Sequence, residues 1–125
     1  MKALSVRQPW AWAIIHAGKT IENRPRRTHL RETVAIHASL QPDREWEEWY
    51  PHRAVKVPPS EEWVFGAIIG LADIVDCVEV HRSKWFQGPF GYVIANPRPL
   101  RKPVPCKGAL GFWQVPADVL RSCRT

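Results

Sequence analysis

The sequence predicts an α+β fold, a mixed β-barrel of about five or six strands with two or three short flanking helices. Short apolar runs alternating with period two recur along the chain, as half-buried strands require. The helical segments between them are too few and too short for repeated βαβ units, which argues against a doubly wound sheet. The longest apolar run, FGAIIGLADIVDCVEV, carries Gly66 and Gly70, where a strand can bend around a barrel corner.

Taken in order, KALSV predicts a strand over 2–6, and Pro9 opens a helix over 9–17 that Gly18 ends. A strand resumes over 20–23, and its alternation sets Glu22 and Arg24 on one face against Ile21 on the other. Val34 and Ile36 against Ala35 and His37 predict a strand over 33–38. Pro42, Asp43 and three glutamates suit the first turns of a helix over 42–50, its acidic face turned to solvent and away from any nucleic acid. Residues 51–63 have the composition of a surface loop. Strands follow over 64–80, 91–96 and 111–115, with a last helix over 116–123. The proline-rich segment 97–105, PRPLRKPVP, reads as a stiff connector.

At 125 residues the chain is expected to form one domain over 1–125, burying about two thirds of its unfolded surface. Without a long apolar stretch or a basic-then-apolar leader, the expectation is a cytoplasmic protein with no membrane segment, and a monomer. Cys77, Cys106 and Cys123 are too scattered for a disulfide framework or a zinc site, so no metal and no cofactor are expected.

The net charge of +6 is unevenly distributed. Residues 1–31 hold seven bases against one acid, 32–79 hold three against ten, and 80–125 hold eight against one. If the two ends of the chain meet in a barrel, their basic segments merge into one positive face, the footprint of a phosphate-backbone partner.

Trp10 and Trp12 lie about 200° apart on a helix, so one packs inward while the other flanks a cleft. Trp10, following Gln8 and Pro9 at the strand-to-helix turn, is the expected cleft residue, and Trp85 with Phe86 supplies a second wall. Two such walls sandwich a base at roughly 1–3 kcal/mol. Trp63 and Trp113 are assigned to the core. Glu22 and Gln8 are expected to read a base edge, with Lys19, Arg24 and Arg7 holding phosphate and Arg26, Arg27 and Arg31 extending the track. As a mere exposed ion pair, the Lys19, Glu22 and Arg24 group would be worth under about 1 kcal/mol.

The run QPWA, then Gly18, Lys19, Glu22 and Arg24 in G-K-x-x-E-x-R, then Arg31 to Ser39, WFQGPFGYV and KGALGFWQV together resemble the ASCH domain family of the PUA-like superfamily. The resemblance implies a PUA-like β-barrel and nucleic-acid binding, with RNA, single-stranded DNA or a modified nucleoside as partner. Some small relatives in that superfamily resemble amidohydrolases of acylated cytidine that use a lysine, a threonine and a glutamate in this region. Lys19 matches the lysine, but the threonine position falls on Glu22, and Lys19 beside an ionised glutamate is a poor base. Whether the chain is an enzyme is thus left open, with Lys19 and Glu22 the residues a hydrolase would use. A ribonuclease would draw on Lys19 and His37. The third class is a protein-interaction module built on 42–50 or 97–105.

Overall fold

A computed structural model of the chain describes residues 1–48 and 55–125. Strand β1 (Lys2–Val6) leads through helix α1 (Trp10–His16) to β2 (Ile21–Arg24) and β3 (Thr33–Ala38). A single 3₁₀ turn at Ser60–Glu62 precedes β4 (Ala67–Val78), β5 (Phe90–Pro105), β6 (Phe112–Gln114) and helix α2 (Ala117–Ser122). The six strands form one curled sheet, a half-barrel in the order β2-β5-β4-β3-β1-β6. Neighbours are antiparallel except β1 and β3, which pair in parallel with Ser5 opposite His37. This is the α+β, PUA-like architecture the sequence predicts.

Helix α1 crosses the concave side and buries Trp10, Ala11, Ala13, Ile14 and Ile15 against Leu4, Val6, Ile21, Ile36 and Ile74. Each fully buried aliphatic side chain contributes about 1.5–3 kcal/mol, so this cluster anchors the helix and the turns at its two ends. Gly18 has φ +70, the left-handed conformation that ends the helix and sends the chain into β2. A smaller cluster of Ala3, Ala35, Ile68, Leu100 and Val115 lies under Val119, Leu120 and Cys123 of the α2 region. Curling needs irregular pairing, and the register shifts between Ile36 and His37 and between Ile68 and Gly70 supply it. At Gly70 a Cβ would lie 2.5 Å from the Ile15 methyl, so the bend doubles as the helix's seat.

The curl brings β2 over to β1, and side chains close the seam. Arg24 donates from Nη2 to the Ser5 carbonyl at 2.8 Å, and the rings of Tyr92 and Phe112 stack at 5.8 Å.

Three expectations are corrected. Segment 97–105 is not a connector but the second half of β5. Prolines are tolerated there because β2 covers only Phe90 to Val93, leaving the rest of that flank an edge where no N–H is needed. The helix expected over 42–50 is absent from its described part: residues 44–48 form turns, and Asp43 accepts the Glu45 N–H in a local side-chain turn, while 49 and 50 lie outside the described residues. The tryptophan assignment holds only in part: Trp85, expected as a wall, is 4% exposed, and Trp63 and Trp113, expected in the core, are half-buried.

Candidate functional site

Two adjoining cavities open beside α1 and β2. The smaller, about 390 Å³, is lined by Trp10, Lys19, Glu22, Asn23, Asp43, Glu45, Glu48 and Gln87. The larger, about 630 Å³, adds Ser5, Arg7, Arg24, His37, Leu40 and the loop Lys107 to Gly111. Trp10, Glu22, Asn23 and Asp43 belong to both, so the two are lobes of one cleft. One lobe is acidic and the other holds the bases Arg7, Arg24 and Lys107.

Glu22 stands at the shared wall. Its carboxylate takes Lys19 Nζ at 2.9 Å on Oε1 and Arg24 on Oε2, with Nε at 3.0 Å and Nη2 at 2.9 Å. Burial opposes its charge, but the attraction of Lys19 and Arg24 and their hydrogen bonds outweigh burial and hold its pKa below the ordinary 4.5. The site therefore presents an ionised acceptor inside a largely desolvated wall. The same geometry withdraws Lys19 from phosphate: the lysine is 2% exposed and also donates to the Ile21 carbonyl, and its ammonium lies 6.0 Å from the Trp85 ring centre.

Trp10 and Trp85 do not face each other across a gap. Their rings meet edge to face with centres 6.3 Å apart at 81°, and Trp85 does not line the cleft. The base sandwich expected from the sequence has no room between them. Trp10 is held by its indole N–H, which donates to Asp43 Oδ2 at 2.8 Å. Asp43 thereby brings the acidic segment onto the cleft, where Glu45 and Glu48 line it while remaining exposed to solvent, as expected of the acidic face.

Gln8 is also removed from base reading. Its amide donates to the Val64 carbonyl at 3.0 Å and accepts the Trp12 N–H at 2.8 Å, at 2% exposure, so its hydrogen-bonding capacity goes into joining α1 to the approach of β4. Arg7 is exposed at the larger lobe. Arg26 and Arg27 are exposed but line neither lobe; Arg27 pairs with Glu79 at 3.2 Å and covers Phe90, while the Arg26 carbonyl accepts the Tyr92 hydroxyl. Arg31 approaches Asp76 at 3.8 Å.

Three residues of the cleft escaped the sequence reading. Asn23 donates to the Trp85 carbonyl and accepts the N–H groups of Gln87 and Gly88, which fixes the 85–88 loop at the rim. Its signal was a lone amide between two charged residues in a strand. Asp43 was read as a helix start. Lys107 opens the KGALGFWQV run, whose sequence carries the family resemblance without marking the lysine as a cleft residue.

Ser5 and His37 sit on the floor of the larger lobe with Oγ and Nδ1 3.0 Å apart. The Trp113 indole, a donor only, gives its proton to Ser5 Oγ at 3.0 Å, and His37 Nε2 lies 2.9 Å from the Cys106 carbonyl, an acceptor only. Nε2 therefore carries hydrogen and donates. Gly108 lies flat over the pair, since a Cβ there would stand 2.6 Å from both Ser5 Oγ and His37 Cε1. The hydroxyl thus joins Trp113 and His37 beneath the Gly108 backbone and ties β1, β3 and β6 together. Burial raises the thiols of Cys106 and Cys123, and among the described residues no cluster of His, Cys, Asp or Glu has the arrangement of a metal site. No helix among those residues is long and apolar enough to cross a membrane.

Comparison with known proteins bears on this geometry. Over 130 aligned positions, covering 93% of this chain, it is 25% identical to human Activating signal cointegrator 1. The match spans 22% of that protein's length, so the likeness concerns one portion of a much larger relative. The model of the ASCH domain matches residues 4–98, which include the end of β1, all of α1 and the whole Lys19, Glu22 and Arg24 group. The chain belongs to the ASCH domain family.

Proposed function

We propose that this ASCH domain binds single-stranded RNA, seating one nucleotide in the cleft between α1, β2 and the 107–111 loop. At the coarse level, membership of the family implies an RNA-binding-like module. The single observation that carries the finer reading is the buried, ionised Glu22 at the junction of a basic and an acidic lobe. A carboxylate only accepts hydrogen bonds, and with Lys19 on Oε1 and two Arg24 contacts on Oε2, Glu22 keeps one acceptor position on Oε1, which selects a base edge that offers an amine or ring N–H. Arg7 and Lys107, both exposed, hold the phosphate on one side. Trp10 lines both lobes as an apolar wall, and Asp43, Glu45 and Glu48 disfavour a second phosphate in the smaller lobe.

A hydrolase reading draws no support from this arrangement. Lys19, the residue such a hydrolase would use, is spent on Ile21 and Glu22.

The test is a titration of labelled, mixed-sequence single-stranded RNA at two salt concentrations, with RNA length checked afterwards on a gel. Binding that weakens steeply with salt and leaves the RNA intact supports the reading. No binding at low salt overturns it, and shortened RNA replaces it with a nuclease.

A further inference from the structure

Among the described residues, the loop that joins β5 to β6 carries the most exposed large apolar side chain. Leu110 is 97% exposed, at the rim of the larger lobe, and Leu40 on the same rim is 71% exposed. An exposed leucine alone is ordinary. What sets this one apart is its mounting.

The loop is gripped on both sides of the leucine. Ahead of it, the Cys106 N–H donates to the Gly66 carbonyl at 3.1 Å, and the Cys106 carbonyl accepts His37 Nε2. Gly108 then lies directly on Ser5 and His37, a contact that any side chain there would break. Beyond it, Gly111 turns with φ +64 and β6 begins at once, pairing with β1 from Phe112. Only Ala109 and Leu110 are carried outward between two glycines, next to the exposed Lys107. A rigid stalk thus lifts an aliphatic side chain over a cavity whose rim carries phosphate-binding bases and whose wall carries a base-reading carboxylate.

That combination fits a base-paired ligand better than a free strand. A nucleotide can reach a recessed carboxylate only after leaving its stack, which costs a few kcal/mol, and proteins that extrude or kink bases commonly push an aliphatic wedge into the step left behind. We propose that Leu110 is such a wedge: the cleft takes a nucleotide swung out of a base-paired RNA stem, while Leu110 fills the vacated place and Lys107 holds the adjoining phosphate. The proposal rests on the cleft being the nucleotide site. It adds that a stem, and not merely a single strand, is a ligand.

The experiment uses an RNA hairpin with 2-aminopurine in its stem, which brightens on unstacking, and an unpaired strand of the same sequence. Wild-type protein is expected to brighten the hairpin probe. Leu110→Ala is expected to weaken hairpin binding and brightening about tenfold while lowering single-strand affinity far less, and Leu110→Phe to restore most of the effect. Because the side chain is almost wholly in solvent, the variants fold as the parent does, and a matching thermal transition verifies it. Single-strand binding with no brightening of the hairpin, or brightening indifferent to Leu110→Ala, overturns the wedge and leaves the single-strand site standing. Failure of both RNAs to bind overturns both.

Discussion

Lys19 Nζ and Glu22 Oε1 lie 2.9 Å apart with side chains only 1% and 11% exposed, so the ion pair at the centre of the cleft is a buried one. Removing Lys19 leaves the Glu22 carboxylate out of water with Arg24 as its remaining counter-charge. Lys19→Met is therefore expected to destabilise the fold by about 1–3 kcal/mol, whereas the double variant Lys19→Met with Glu22→Gln recovers part of that loss. Urea unfolding of the three proteins measures it; equal losses in the single and double variants would refute the pairing argument.

The same carboxylate sets a pH dependence. Its folded pKa is lowered, so its contribution to stability is fully present above about pH 4.5 and is lost as pH falls through the folded value. Asp73 acts in the same sense below its ordinary 3.8, held down by hydrogen bonds from Asn96 and Thr33 and by Arg98. Thermal midpoints between pH 2 and 7 should fall steeply at the acid end, and Glu22→Gln should shallow that fall without reversing it.

Arg7 and Lys107 are separated by 100 positions in the sequence yet line one lobe. On the proposed reading, replacing either by alanine lowers affinity for RNA of every sequence and reduces the slope of log K against log salt by about 1. Arg26→Ala and Arg27→Ala, outside the cleft, should change affinity less. A ranking in which Arg26 and Arg27 dominate would move the phosphate track off the cleft.

Gly108→Ala forces a methyl group against Ser5 Oγ and His37. Neither neighbour can retreat, because one holds Trp113 and the other Cys106. A loss of about 1–3 kcal/mol is expected, together with weaker RNA binding from a displaced loop. Hydrogen exchange at 107–112 distinguishes that displacement from general softening, which would extend to β4.

Where periodicity and local punctuation decide, the sequence was a good guide: β1 to β4, α1 with Gly18 behind it, and α2 all stand near their expected places. The second half of β5 was hidden because proline argues against a strand unless its flank is unpaired, and that depends on how short β2 is. Helix 42–50 failed because Asp43 serves a turn as readily as a helix start, and here its carboxylate also binds Trp10. In the site, strand alternation placed Glu22 beside Arg24, but burial of Lys19 follows from the curl of the sheet, which no local pattern records. Gln8 was misread for a related reason. An amide at a turn looks free until the distant Val64 carbonyl arrives to take its proton.

The pairing of β6 with β1 sets Gln114 against Lys2, a closure across more than a hundred residues. Contacts of such long range are entropically expensive to close and tend to form late during folding. The Trp113 to Ser5 hydrogen bond, and with it the seat of the Gly108 loop, depends on that closure. During synthesis most of the sheet would then assemble before β6 is available, and the cleft would take its finished shape only once β6 had emerged.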